Sequence, residues 1–108
     1  MNIEIQESSI QQQSAITITG SKSESNRLLL MQAVFSTIGI QNISNADDAV
    51  LMQKALSSDA DIIDIHHAGT AMRFLTAFLA TRPKREVVLT GSSRMQERPI
   101  KILVDALK

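Results

Sequence analysis

The sequence has no cysteine, no tryptophan and no tyrosine, and it contains only two prolines and four glycines in 108 residues. Without cysteine, a disulfide framework, a thiolate zinc site and a cysteine nucleophile are all excluded, and a reducing compartment is a natural setting. The three phenylalanines are too few to build platforms on which nucleic-acid bases stack. Any chemistry must therefore rest on charged and hydroxyl side chains and on the backbone.

Positive and negative charges balance, since 11 Lys and Arg residues face 11 Asp and Glu residues and the formal net charge is zero. A broad basic face for nucleic acid is therefore not expected. No apolar run approaches the roughly 18 residues of a membrane span, and the polar first six residues do not form a secretion signal. With 44% hydrophobic residues, we expect one small cytoplasmic domain with no membrane and no nucleic-acid partner.

Hydrophobic periodicity predicts a mixed α+β domain without an internal linker. Gly39 stands where the first helix would end, Asp47 and Asp48 offer N-cap residues for the second, and Pro99 suits the first position of the last. The predicted elements are strands at residues 2–6, 15–19, 39–43, 62–65 and 87–90 and helices at residues 25–35, 49–56, 70–80 and 100–107.

Three times a predicted strand leads through a loop of small residues into a predicted helix, at residues 16–23, 63–70 and 88–93. The free backbone N–H groups of such turns can face an anion. Positive side chains lie near each turn: Lys22 and Arg27, then Arg73, then Arg94 and Arg98. A helix N-terminus already carries about half a positive charge, so cations are unfavourable there. A ligand with several negative charges would compensate all three turns together.

A plainer interpretation is that Glu24, Glu97 or Asp64 neutralise these cations, or that the cations point into water. It is favoured for any single cation, whereas the three together favour a ligand. The Gly-Ser-Lys-Ser loop lacks the spacing of a P-loop, so nucleotide hydrolysis is not supported. His66 and His67 would face opposite sides of a strand and have no third ligand nearby, so no metal site is expected.

The three loop motifs, taken in order, resemble the N-terminal part of the 5-enolpyruvylshikimate-3-phosphate synthase family. They read GSKSESNR at residues 20–27, AGTAMR at residues 68–73 and LTGSSRMQERPI at residues 89–100. The resemblance implies a partial copy of the βαβαββ-type unit from which that family builds an α/β prism, an inside-out barrel. Residues 1–20 would be N-terminal strands, and residues 21–108 the first βαβα repeat of the substrate-binding half, in one partial domain.

The resemblance also implies a reaction: transfer of the enolpyruvyl group from phosphoenolpyruvate to the 5-hydroxyl of shikimate 3-phosphate, with release of phosphate, in aromatic amino acid biosynthesis. By that resemblance Lys22 would touch both substrates, Ser23 and Arg27 would hold shikimate 3-phosphate, and Gly69 and Arg98 would meet phosphoenolpyruvate. Supporting positions implied in the same way are His67, Thr70, Arg73 and Arg94. Neither a cofactor nor a metal is implied.

The sequence departs from the family pattern at three places. His67 replaces an asparagine, Phe74 replaces a proline, and the connection from Leu56 to Ile65 is short. Family chains are several-fold longer, and their acid and base carboxylates lie beyond the position of Lys108. We therefore expect no catalytic residue here, an inactive isolated chain and a monomeric parent enzyme. Apolar surface on the helix at residues 25–35 is expected to favour self-association of the isolated chain.

Two functions of other classes stay open at this stage. A non-catalytic module would bind a phosphorylated metabolite without converting it. This alternative stays open because these residues contain no nucleophile–base pair. An RNA-binding βα domain would use the same basic loops, but the zero net charge and the scarcity of aromatic residues weigh against it.

Overall fold

The computed structural model describes residues 1–108 and places five helices around a two-stranded parallel sheet. The elements in chain order are α1 (Lys22–Val34), α2 (Asp47–Leu56), β1 (Ile62–Asp64), α3 (Gly69–Ala80), β2 (Val88–Thr90), α4 (Ser93–Gln96) and α5 (Lys101–Leu107). The mixed helix and strand content confirms the predicted α+β class. None of the helices combines the length and the apolar character that crossing a membrane would require.

The sheet is a parallel pair in which Ile63 lies opposite Leu89, and α3 is the crossover connection between the two strands. Pairing continues past the strands, because the Ile65 N–H donates to the Thr90 carbonyl at 3.0 Å and the Ser92 N–H to the His66 carbonyl at 2.9 Å. Both strands therefore end at the same edge of the sheet. The loops that follow them lie side by side there, which confirms the two predicted strands that matter for the site.

The core lies between α3, the sheet and α2. Apolar side chains recur along α3 at helical spacing, so one face of this helix is buried. Leu75 and Ile65 are completely buried, as is Met52 from α2. The buried cluster consists of Leu29, Met52, Ala55, Ile63, Ile65, Ala68, Ala71, Met72, Leu75, Leu79 and Met95. Because the cluster includes Ala68 and Met95, it fixes the start of α3 relative to α4.

Helix α1 begins earlier and ends earlier than the apolar pattern predicts. It begins at Lys22, and the Ser21 hydroxyl accepts the Glu24 N–H at 3.4 Å, in the Ser-x-x-Glu spacing that marks a helix start. It ends at Val34, one residue before the predicted end at residue 35. The three extra residues bring Lys22 into the first turn of the helix.

The buried face of α1 is also different from its apolar face. The fully buried residues are Ser25, Asn26 and Leu29. Other large apolar side chains of this region are exposed by 38 to 60%: Leu28, Met31, Val34 and Phe35. The helix therefore packs through a partly polar face and leaves an apolar face in solvent.

The strands predicted at residues 2–6, 15–19 and 39–43 are wrong. No backbone hydrogen bond involves residues 1–19, and the first in the chain joins the Gly20 N–H to the Asn42 carbonyl at 3.0 Å. A strand is stable only when its backbone pairs with a neighbour; the first two segments have no such bond, and the third has only the single bond from Gly20. Asn42 has a positive φ of 54°, which interrupts an extended run. Residues 1–19 are exposed, and the radius of gyration of 17.8 Å exceeds the ~13 Å of a compact domain of this length.

The remaining helix starts differ from the prediction in detail. Ala46 occupies the N-cap position of α2 without a side-chain hydrogen bond, so Asp47 and Asp48 lie in the first turn instead of capping it. Helix α5 begins at Lys101, so Pro99 precedes the helix and is not its first residue. The single-turn helix α4 was not predicted.

Candidate functional site

The loops after β1 and β2 are held together by a close backbone approach. The Ser92 N–H donates to the His66 carbonyl, and a Cβ at Gly91 would lie 2.5 Å from that oxygen. A residue with a side chain would collide there, so glycine is required at this position. The start of α3 and the start of α4 are thus brought side by side at one edge of the sheet.

Two guanidinium groups gather at Gly69, the first residue of α3. A Cβ at Gly69 would overlap Nη1 of Arg98 and lie 3.4 Å from its Cζ, and Nη1 of Arg73 would be 3.9 Å away. Arg73 also donates to the Gly69 carbonyl at 3.2 Å. The backbone N–H groups of Gly69, Thr70 and Ala71 have no acceptor within the protein. Free donors and two cations therefore meet at the positive end of one helix.

Next to Gly69, a cleft of about 290 Å³ lies between the two loops, and we call it the anion cleft. Its walls are His67, Ser92, Arg94, Met95 and Arg98. Polar side chains from the loop after β1 and from the third sequence motif line it together. The cleft is therefore a concave surface with two arginines and further hydrogen-bond donors.

The arginines of the site have no counter-ion. No carboxylate lies within 4.0 Å of Arg27, Arg73, Arg94 or Arg98, since the ion pairs of the chain involve Lys22, His67 and Lys101. Neutralisation of these arginines by Glu24, Glu97 or Asp64 is therefore wrong, and the Asp64 carboxylate instead accepts the His66 N–H at 2.7 Å. No carboxylate pairs with the arginines of the anion cleft, and their side chains are exposed, so the other part of the plainer interpretation, that these cations point into water, is compatible with the structure.

The first motif forms a neighbouring group, which we call the first-motif region: Lys22, Ser23 and Arg27. Nζ of Lys22 lies 3.8 Å from Oδ1 of Asp48, and Arg27 donates to the Ser23 carbonyl at 2.8 Å. The Arg27 guanidinium also lies 5.8 Å from the centre of the Phe74 ring, on α3. The structure thus places this region against α2 and α3, but none of its three residues lines the anion cleft.

The first turn of α2 connects the two regions. Asp48 faces Lys22, and Oδ2 of Asp47 lies 4.0 Å from Nε2 of His67. The sequence pattern predicts helix capping for both acids and does not reveal these contacts. The signal available was the pair itself, since consecutive acids in a first turn can reach different neighbours.

The two histidines do not face opposite ways. Their ring centres are 5.2 Å apart, because both residues lie in the turn beyond β1 and His66 has a positive φ of 52°. The alternation argument applies only within a strand. It is His67 that lines the anion cleft, whereas His66 does not.

Sequence reasoning missed two further residues near the site. The Ser92 hydroxyl accepts the Met95 N–H at 3.3 Å, an N-cap contact that the Ser-x-x-Met spacing by itself does not single out. Asn26 is completely buried, and neither Oδ1 nor Nδ2 has a hydrogen-bond partner. Burying an unpaired amide costs about 1–3 kcal/mol, so Asn26 is an unfavourable feature next to Arg27.

A larger cavity of about 620 Å³ lies between α3, β2 and the segment before α5. It shares Met95 and Arg98 with the anion cleft. Much of its wall is apolar, including Met72, Leu79 and Leu89. This cavity is thus less suited to a polyanion than the anion cleft.

Comparison with known proteins places these motifs in a family. Residues 30–108 match the family described as EPSP synthase (3-phosphoshikimate 1-carboxyvinyltransferase). The chain is 48% identical over 94 residues to the 3-phosphoshikimate 1-carboxyvinyltransferase of Bacteroides fragilis, which covers 86% of this chain and 23% of the relative. It is 37% identical to the enzyme of the same name from Idiomarina loihiensis, over 86% of this chain and 28% of the relative.

A fungal relative shows the same similarity within a larger protein. The chain is 40% identical to Pentafunctional AROM polypeptide 2 of Lodderomyces elongisporus, over 86% of this chain and 8% of that protein. No solved structure matches the chain significantly. The chain spans about a quarter of the length of the bacterial relatives. The family match over most of the sequence confirms the resemblance of the three loop motifs, and the chain belongs to the EPSP synthase family.

Proposed function

We propose that this chain supplies substrate-binding loops to an enzyme that transfers the enolpyruvyl group of phosphoenolpyruvate to the 5-hydroxyl of shikimate 3-phosphate and releases phosphate. The observation that carries the proposal is the anion cleft, in which Arg94 and Arg98 have no carboxylate partner. The free N–H groups at the start of α3 lie next to this cleft. Both proposed substrates are small polyanions. Membership of the EPSP synthase family indicates which reaction of polyanionic substrates this charge pattern serves.

Phosphoenolpyruvate is assigned to the anion cleft and the adjoining start of α3. In this assignment the Gly69 N–H and the Arg98 guanidinium contact the substrate. His67, Thr70, Arg73 and Arg94 support it with further donors and positive charge. Fixed donors of this kind stabilise charge as it develops on the departing phosphate, without reorganising during the reaction.

Shikimate 3-phosphate is assigned to the first-motif region. Ser23 and Arg27 hold it, and Lys22 reaches both substrates. The short connection through Asp47 and Asp48 supports this arrangement, because it links the first-motif region to His67 in the anion cleft. A bound dianion would compete with Asp48 for the Lys22 ammonium group.

The catalytic acid and base are assigned to other parts of the complete enzyme. In this proposal residues 1–108 form one partial domain, with residues 21–108 as a partial copy of the βαβαββ-type unit of an α/β prism. The parallel pair β1–β2 with its crossover helix α3 is compatible with such a unit. The chain by itself is then a binding element that does not release phosphate, and the complete enzyme is a monomer without cofactor.

Complementation tests this function directly. The chain is combined with the Bacteroides fragilis relative from which the 94 matched residues have been removed, and phosphate release from phosphoenolpyruvate is measured with shikimate 3-phosphate present. We expect activity from the mixture, none from either part, and a strong reduction with Arg98→Ala. Binding of both substrates by a correctly folded mixture without phosphate release would instead indicate a non-catalytic binding module.

Self-association of the isolated chain is proposed from its exposed apolar side chains. Leu28, Met31, Val34 and Phe35 leave an apolar face around α1, and Ile102 of α5 is 89% exposed. Burying such surfaces between copies is favourable at about 25 cal/mol per Å². Light scattering should show a mass that rises with concentration, and a constant monomer mass at high concentration would contradict the proposal.

A further inference from the structure

Ser92 is the one hydroxyl residue among the side chains that line the anion cleft. It is half-buried, whereas its neighbour Ser93 is exposed. The Ser92 N–H donates to the His66 carbonyl at 2.9 Å, which fixes the backbone of this residue against the loop after β1. The position of the hydroxyl is therefore set by the fold rather than by a mobile loop tip.

The hydrogen bonds of Ser92 leave its hydroxyl proton unused. A serine hydroxyl has one donor and two acceptor sites. The Ser92 oxygen accepts a hydrogen bond from the Met95 N–H at 3.3 Å, and the Ser92 hydroxyl donates no hydrogen bond to another group of the protein. The N-cap contact thus occupies the acceptor side of the hydroxyl and leaves the donor available.

The surroundings of this donor favour an anionic oxygen as its partner. Arg94 and Arg98 border the same cleft without a carboxylate within 4.0 Å, and His67 borders it from the other loop. Hydrogen bonds to charged oxygens are about twice as strong as those between neutral groups. A hydroxyl that adds a directed donor without adding charge complements the two arginines.

We propose that Ser92 is a further substrate-binding residue, whose hydroxyl donates a hydrogen bond to a phosphate or carboxylate oxygen of the ligand in the anion cleft. The inference rests on the proposed function, in which that ligand is phosphoenolpyruvate. Ser92 joins the loop after β2 to the ligand directly, in addition to the arginines of the same motif. Its hydroxyl fixes the orientation of the anion, while Arg94 and Arg98 supply the attraction.

The test measures phosphoenolpyruvate affinity by calorimetry for the 108-residue chain and its variants. Ser92→Ala should weaken binding about three- to tenfold, and the matched control Ser93→Ala less than twofold. Ser92→Thr keeps a hydroxyl and should stay within about threefold of the original affinity. Equal effects of the two alanine variants, or a loss for Ser92→Thr as large as for Ser92→Ala, would overturn the assignment.

A second pair of variants separates ligand binding from helix capping. Aspartate is as good an N-cap residue as serine, so Ser92→Asp should leave the unfolding temperature unchanged. It should nevertheless weaken phosphoenolpyruvate binding more than tenfold, and more than Ser93→Asp does. Unchanged affinity with Ser92→Asp would overturn the inference.

Arg98→Ala distinguishes failure of this inference from failure of the proposed function. If Arg98→Ala weakens phosphoenolpyruvate binding and the Ser92 variants do not, the inference on Ser92 alone is wrong. If neither changes the affinity, the assignment of phosphoenolpyruvate to the cleft is wrong.

Discussion

The first-motif region and the anion cleft begin from the same sequence signal, a cation near a helix start, and reach different local structures. In the first-motif region Lys22 has Asp48 at 3.8 Å, and Arg27 is occupied by the Ser23 carbonyl and the ring of Phe74. In the anion cleft, Arg94 and Arg98 have no carboxylate partner. A cation at a helix start thus indicates a ligand most strongly where the fold supplies no acid. Removing an arginine should therefore lower ligand affinity more in the anion cleft than in the first-motif region.

The largest effect is expected from Arg98→Ala. Arg98 lies over Gly69 and borders the anion cleft, so its removal should cost up to about 3 kcal/mol of phosphoenolpyruvate binding, roughly 150-fold in affinity. Calorimetric titration measures the loss, with Lys54→Ala as a control for charge alone. Affinity within twofold of the unmodified chain would show that the cleft does not hold this substrate.

Arg27→Ala should produce the second largest effect, and on the other substrate. Because Arg27 already donates to the Ser23 carbonyl, we expect a loss of about 1.5 kcal/mol, or roughly tenfold, in affinity for shikimate 3-phosphate. Phosphoenolpyruvate affinity should change less than threefold. If both affinities fell equally, the two regions would not be separate subsites.

Gly69→Ala tests how closely Arg98 must approach α3. The new Cβ would displace Nη1 of Arg98, the end of a flexible side chain, so the stability of the fold should change little. We expect roughly fivefold weaker phosphoenolpyruvate binding, about 1 kcal/mol, measured by the same titration. Equal affinity accompanied by a large fall in unfolding temperature would place the role of Gly69 in packing instead.

Asp48→Asn should give the smallest effect and the opposite sign. It removes the acid beside Lys22, an interaction worth about 0.2–1 kcal/mol for a partly exposed pair. Affinity for shikimate 3-phosphate should rise about twofold, while the unfolding temperature falls slightly because α2 loses a favourable first-turn charge. Weaker binding by this variant would mean that Asp48 positions Lys22 for the substrate.

Local sequence patterns predicted the helices and strands whose own residues show a clear periodicity or β-branched composition. The apolar spacing of α3 and the β-branched run of β1 sufficed for those elements, and the strand–loop–helix order indicated where β1 and β2 bring basic residues together. The strands at residues 2–6 and 15–19 could not be settled in this way, because pairing depends on a partner strand rather than on alternation.

The site was predictable in composition but not in grouping. The motifs named Gly69, Arg94 and Arg98, yet nothing local showed that a guanidinium from the third motif lies over the first residue of α3. The ion-pair partners of Lys22 and His67 come from α2, and no local pattern connects α2 with either loop. Burial of Asn26 beside exposed Leu28 likewise depends on packing between helices.

The most direct test of uncompensated charge in the anion cleft is an NMR titration of the arginine Nε–H signals with phosphoenolpyruvate. The chain carries its own controls, since Arg82 lies 4.0 Å from the centre of the Phe78 ring and Arg85 donates to the Ser58 carbonyl, away from the cleft. We predict saturable shifts for Arg73, Arg94 and Arg98 and none for Arg82 and Arg85. Shifts of equal size in all five, or in none, would contradict the account.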